Sequence, residues 1–276
     1  MTATYVALGG AALATALGLR PLWRQGGPRA SWPVMLLGAM LVGFSASLFM
    51  ALKFAIPAIV PFWFDQPLAA AEAGLFGTDP YRLLDALFGR ATLVVDRVYA
   101  FWLPVQLLVL FTVLAAPASH AKSRALNAYA AAWFLIGVVA AALLASVGPI
   151  LFDREFGGDR FVPLHQSMAL HGASMVLTTA DAMWASYFSG EYRLVSGISA
   201  APSMHVAISF WILLAARNLA PRAVPLAAAY FGFIWIASVQ LGWHYVSDGL
   251  IGVLAMAALW WLAGLLPYRS PSIAPA

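Results

Sequence analysis

Two polar clusters sit at the ends of otherwise apolar runs, Ala201-Pro202-Ser203-Met204-His205 and His244-Tyr245-Val246-Ser247-Asp248. Polar groups in such surroundings cost free energy unless they are used. His205 and His244 are 39 positions apart, and at ~1.5 Å per helical residue that is about 58 Å of path, close to two crossings of a ~30 Å hydrocarbon layer. Two crossings return the chain to its starting side. The histidines are therefore expected to meet at one membrane face, each in the first turn of its own transmembrane helix. His244 and Asp248 stand at i and i+4, so the carboxylate can hold one ring nitrogen and leave the other free to attack or bind a ligand.

The elements that must position these residues are membrane helices. The chain has 276 residues, 63% of them hydrophobic and 9% charged, with a mean hydropathy of +0.84, values that no soluble domain needs to build a core. Without cysteine, disulfides, thiolate catalysis and cysteine-ligated metals are excluded, and the redox compartment stays open. The expected fold class is all-α, a polytopic bundle of about seven spans at roughly 4–19, 33–52 (running on towards 61), 95–116, 127–147, 202–219, 223–241 and 244–266. The first has no basic residue ahead of it and Arg20, Arg24 and Arg29 behind it. A secretory signal has the opposite polarity, so this reads as a retained helix with its N-terminus outside.

Charge sets the orientation. The connections at 20–32, 117–126 and 217–222 and the C-terminal tail carry Arg20, Arg24, Arg29, Lys122, Arg124, Arg217, Arg222 and Arg269, and none of the 11 acidic residues. Those connections are expected to be cytoplasmic. The histidine pair then faces outward, the periplasmic side of an inner membrane if the chain is bacterial. The net charge of +4 reflects this distribution and carries no argument for nucleic acid. Two outer segments are long. In Pro61–Asp96, Pro80–Phe88 reads as a short interfacial helix within a connector; Gly148–Ala200 reads as a lid that touches substrate.

The two polar clusters resemble the second and third signature motifs of the type 2 phosphatidic acid phosphatase (PAP2) superfamily. Pro202-Ser203-Met204-His205 and the His-Tyr-x-x-Asp form at 244–248 are most similar to its inositolphosphotransferase branch, the inositol phosphorylceramide synthase-like proteins. The resemblance implies a six-helix core, placed at 31–268 after an N-terminal segment 1–30 with an extra helix, and before a tail at 269–276. It also implies metal-independent phosphoryl transfer without a cofactor: His244 as nucleophile forming a phosphohistidine, Asp248 as its orienting partner, and His205 as the acid and later the base. Imidazole suits both roles near neutral pH. The spacing by itself supports only that the three converge.

Phosphate needs fixed positive charge. The superfamily's first motif, a Lys followed by Arg-Pro, is not intact, and Ser238 stands where the third motif usually has Arg. Arg160 and Arg154 are the nearest candidates; otherwise they pair with Asp153, Glu155 and Asp159 in a solvated loop. Pro202 at the first helical position would leave the amides of Ser203, Met204 and His205 available to an anion, which makes Ser203 a candidate phosphate contact or a plain helix cap.

His165 and His171 are six apart and make a poor metal pair. His120 suits a helix terminus. Asp96-Arg97-Val98-Tyr99 reads as an interfacial cluster or a headgroup contact, and Lys53 as a snorkelling side chain. The expected partners are a phospholipid or lipid phosphate, an acceptor that is a lipid alcohol or water, and the membrane. A lipid alcohol gives a phosphotransferase; water gives a lipid phosphate or polyprenyl diphosphate phosphatase with the same triad. Two other classes compete: a redox carrier with His205 and His244 as haem ligands, and a metal hydrolase, for which too few ligands are apparent.

Overall fold

The structure, a computed structural model, describes residues 32–191 and 197–268. The expected first span, Ser199's upstream neighbours at 192–196 and the tail lie wholly or partly outside them. Among the described residues the chain is helical and without strands, an all-α bundle as expected. The helices are α1 (Trp32–Ile59), α2 (Asp65–Phe76), α3 (Pro80–Phe88), α4 (Thr92–Tyr99), α5 (Trp102–Ala115), α6 (His120–Leu143), α7 (Pro149–Phe156), α8 (Val162–Leu170), α9 (Ser174–Ser189), α10 (Met204–Leu219), α11 (Val224–Gln240) and α12 (Val246–Leu265).

Among the described residues, four helices are long and apolar enough to cross a membrane: Met35–Ile59, His120–Leu143, Pro221–Gln240 and Val246–Leu265. A fifth span arises if Pro80–Tyr99 and Trp102–Ala115, bent by 44° at their junction, count as one. Of the seven expected spans, that at 4–19 lies outside the described residues; of the other six, α10 is apolar but short and the span expected at 95–116 is broken. The outward faces fit lipid: Leu36, Leu37, Met40, Leu41 and Phe44 of α1, and Leu250, Leu254, Trp261 and Leu265 of α12, are all exposed, which hydrocarbon tolerates and water would penalise.

α10 is the central post. It packs against α5, α6, α11 and α12, its Trp211 is fully buried, and the indole donates to the Ala125 carbonyl of α6 at 2.8 Å. At one end of the bundle, basic side chains occupy helix C-termini, where carbonyls lack partners. Lys122 donates to Leu114 and Ala116 carbonyls at 2.6 and 2.8 Å, and Arg124 to the Trp260 carbonyl at 2.8 Å.

The opposite end holds α2, α3 and α7–α9. Pro80–Phe88 is a helix with Pro80 in its first turn, as read from the sequence. The stretch 144–148 works there as a staple. The buried Asp65 carboxylate accepts from the Val147 and Gly148 amides, both at 2.8 Å. Ser146 accepts from the Ala200 amide with its carbonyl and from the Ala201 amide with its hydroxyl, at 2.9 and 2.7 Å. Ile150 then donates to the Gly242 carbonyl at 2.8 Å. One short connection therefore grips the backbone just ahead of both histidines. Gly148 is required there: its φ is +81°, and a Cβ would lie 2.5 Å from the Trp243 carbonyl oxygen.

Candidate active site

α10 starts two residues later than the sequence suggested. Its first helical residue is Met204, and Ser203 is the N-cap, its hydroxyl accepting from the Val206 amide at 3.3 Å. Pro202 is therefore outside the helix. The Ser203 amide donates to the Asp248 carbonyl at 3.0 Å, and Ser203 is fully buried. Its hydroxyl and amide are thus both engaged, and the cap is the role its geometry displays.

His244 also differs from expectation, lying in the turn two residues before α12 begins at Val246. Its amide donates to the Ser238 carbonyl at 3.2 Å. Asp248 still reaches it, because Asp248 is the third residue of α12 and turns back over the helix start, accepting from the Tyr245 amide at 3.0 Å. This is capping-box chemistry. The same carboxylate oxygen lies 3.6 Å from His244 Nδ1, and Asp248 is fully buried. On the other side of the ring, His244 Nε2 is 3.3 Å from His205 Nδ1. The three residues named from the sequence converge, with His244 between the other two.

Tyr99, read from the sequence only as part of an interfacial cluster, and Trp102, which the sequence did not single out, fix His205. Tyr99 stacks on its ring with centroids 5.0 Å apart, and the Trp102 ring lies 4.2 Å away. The Trp102 indole donates to the His205 carbonyl at 3.2 Å. The bend between α4 and α5 places both aromatics on the imidazole; an aromatic pair spaced i, i+3 at the mouth of a span was the only signal.

Gly252 lets α12 approach this point. A Cβ there would stand 2.7 Å from the Ser203 carbonyl oxygen. Beside it, α6 winds as a π-helix over Leu135–Ala140, where Gly137 faces Phe49 and Met204.

The cations are arranged differently from expectation. Arg160 holds Asp79 through Nε and Nη2 at 3.0 and 2.6 Å, and Nη2 also donates to the Ala69 carbonyl at 2.7 Å. Arg154 holds Asp181 at 2.5 Å. Neither pairs with the carboxylates next to it in sequence, Asp153, Glu155 or Asp159, so the solvated-loop reading is corrected, and neither guanidinium stands free for phosphate. Asp153 instead caps the Phe161 amide at 2.8 Å. Lys53, read as snorkelling, is close enough to His205 for the two to interact electrostatically. It shows no hydrogen bond or ion pair among the described residues, and its ammonium lies 5.9 Å from the centre of the Phe49 ring.

Asp96, His165 and His171 bond within the fold. Asp96 is buried and accepts from the Met175 and Val176 amides at 3.0 and 2.9 Å, so it joins α4 to α9. His165 Nε2 bonds the Ile150 carbonyl at 2.9 Å, and His171 Nδ1 the Ser167 carbonyl at 2.9 Å. Glu72 of α2 is the surprise. One of its oxygens accepts from both the amide and the hydroxyl of Ser247, each at 2.6 Å, which sets a carboxylate at the α12 N-terminus. Burial raises its pKa, partly offset by the Ser247 donors. Burial likewise pushes Asp65 up to about 7 against the pull of its two backbone donors.

Among comparisons with known proteins, a family model described as the PAP2 superfamily matches residues 68–262. The match contains α3–α11 and every motif residue above, and excludes Lys53. No curated protein matches, and no solved structure does.

Proposed function

From the premise that this chain belongs to the PAP2 superfamily, and is thus a membrane phosphatase or phosphotransferase of that type, we propose that it moves a phosphorylated headgroup from a phospholipid to an alcohol acceptor through a phosphohistidine on His244, as inositol phosphorylceramide synthase-like enzymes do. The observation that carries this reading is His244 held between Asp248 at Nδ1 and His205 at Nε2. With the Nδ1 proton directed to Asp248, the lone pair of Nε2 is the nucleophile. Nε2 attacks phosphorus, the bond to the leaving oxygen breaks, and His205 gives that oxygen a proton. The acceptor hydroxyl then loses its proton to His205 as its oxygen bonds phosphorus and the P–N bond breaks, returning the electron pair to His244. Water in place of the alcohol releases the phosphorylated headgroup, and on a lipid phosphate monoester the same cycle is a phosphatase.

Asp248 stabilises the imidazolium-like state of His244 and holds its orientation. Tyr99 and Trp102 keep His205 at its partner. Since both arginines are already neutralised by carboxylates, Lys53 is the side chain in this reading that offers charge to the phosphate oxygens. The arrangement of basic residues favours an active site on the outer face of the membrane and a cytoplasmic C-terminus.

Purified protein is incubated with headgroup-labelled phospholipid, with and without a long-chain alcohol. Label in a new lipid that depends on the alcohol is the expected result, with the free phosphorylated headgroup when only water is present. His244→Ala should abolish both and yield no acid-labile phosphoprotein. Turnover above a tenth of wild type in this variant would refute the nucleophile assignment.

A further inference from the structure

A narrow cleft, about the width of a water molecule, opens against His244. Its walls include Glu72, Asp79, Tyr81 and Tyr245. His205 is not among the lining residues. Several of these walls end in buried polar atoms without a partner. Glu72 is 2% exposed and spends only Oε1 on Ser247; its Oε2 has no hydrogen bond. Tyr81 is 4% exposed and its hydroxyl has none either. The Tyr245 hydroxyl has no hydrogen bond either. Asp79 is already held by Arg160, whereas no cation pairs with Glu72 among the described residues.

Buried polar atoms are nearly always satisfied, and leaving one unmade costs more than a made bond contributes. The unmet atoms here include a carboxylate oxygen, which wants a donor, two phenols, which can each give or take one bond, and His244 Nδ1, which faces Asp248. A phosphate oxygen suits neither the carboxylate nor the absence of a free cation. A hydroxyl suits both. It is also not the reacting hydroxyl: in a double displacement through one histidine, the leaving and entering oxygens use the same side of phosphorus, opposite the histidine nitrogen, and His205 serves that side.

We propose that this cleft binds a non-reacting hydroxyl of the lipid headgroup, with Glu72 Oε2 and the Tyr81 hydroxyl as its hydrogen-bond partners, and that these two residues make the enzyme select hydroxylated headgroups. The proposal rests on the phosphotransfer reading of His244. It assigns Glu72 two roles on two oxygens: one fixes the start of α12, and the other reads the substrate.

The test compares the affinities of purified protein in detergent for two soluble phosphate monoesters, myo-inositol 1-phosphate and methyl phosphate, which differ in their hydroxyls. Wild type should bind the inositol ester at least tenfold more tightly, the size expected for a hydrogen bond to a charged group. Glu72→Gln, which keeps an oxygen for Ser247, and Tyr81→Phe, which removes an oxygen that holds nothing in the fold, should each bring the ratio of affinities down several-fold. Should the glutamine variant fail to fold, the phenylalanine variant decides. A wild-type ratio near one, or a ratio that survives in the folded variants, overturns the proposal. Lipid transfer is measured on the same preparations. A ratio with no transfer faults the phosphotransfer reading and leaves the cleft standing; transfer with no ratio faults the cleft alone.

Discussion

Gly252→Ala tests whether the approach of α12 to α10 sets the catalytic geometry. The new Cβ would stand 2.7 Å from the Ser203 carbonyl oxygen, where ordinary contact begins at 3.4 Å. The helices must therefore separate locally by about 0.7 Å, the difference between those two distances. The carbonyl cannot simply turn away, because it accepts from the Ala207 amide at 3.0 Å within α10. Ser203 is two residues from His205 and bonded through its amide to Asp248. The displacement thus falls on the 3.3 Å contact between the histidines, which would open to about 4 Å, beyond hydrogen-bond range. A misplacement of ~1 Å costs about 10²-fold in rate, so a loss of roughly ten- to a hundredfold is expected. Overpacking costs about 1–3 kcal/mol, partly offset by the ~1 kcal/mol advantage of alanine over glycine in a helix. The matched control is Gly232→Ala on α11, where a Cβ meets nothing within 4 Å; it should hold wild-type activity and be slightly more stable. Lipid transfer rates and melting temperatures of the two variants decide. Wild-type turnover by folded Gly252→Ala, or equal losses in both, would refute the reasoning.

Asp248→Asn keeps a group able to cap Tyr245 but removes the charge facing His244, and turnover should fall by about 10²–10⁴-fold in the same transfer assay while the protein stays folded. Lys53→Met should cost about 10²-fold or more in kcat/KM, the size of losing one charge-stabilising donor; Arg154→Ala, which breaks only a pair with exposed Asp181, should change stability by less than about 1 kcal/mol and the rate little, and the opposite ranking would return the phosphate site to the arginine. For Asp65, whose pKa is raised by burial to about 7, the folded state binds the proton more tightly than the unfolded chain, so its contribution favours folding at low pH and is lost as pH rises through 7. Asp65→Asn should flatten the fall in melting temperature between pH 4 and pH 7, and an unchanged slope would show that the carboxylate is anionic throughout. Because the chain has no cysteine, Asp159→Cys should react with an impermeant thiol reagent on intact cells and Asn218→Cys only after the membrane is opened; the reverse order would invert the topology.

The sequence alone determined the class of this protein and named His205, His244 and Asp248, which the fold brings together. Membrane helices declare themselves by composition, since each must present an apolar surface to lipid along its whole length. Path length does the same for the histidines: two crossings bring His205 and His244 to one face whatever the packing between them. Pro80–Phe88 was legible because proline suits a first helical turn and charges alternate with apolar residues behind it. Helix starts were less so, since Ser203 and Asp248 cap their helices through bonds whose exact register depends on the neighbouring backbone.

Tertiary structure decided the partners of charged side chains, and it did so over sequence separations that carry no period. Glu72 meets Ser247 across 175 positions and Arg160 meets Asp79 across 81, while the nearer acids Asp153, Glu155 and Asp159 looked like the obvious partners. The bend after Tyr99 aims two rings at His205, and the staple at 144–148 holds the backbone ahead of both motifs. A buried charge or amide must be satisfied by whatever donor the fold brings within ~3 Å. That choice belongs to the packed bundle, because in a low-dielectric interior the nearest group in space prevails over the nearest group in sequence.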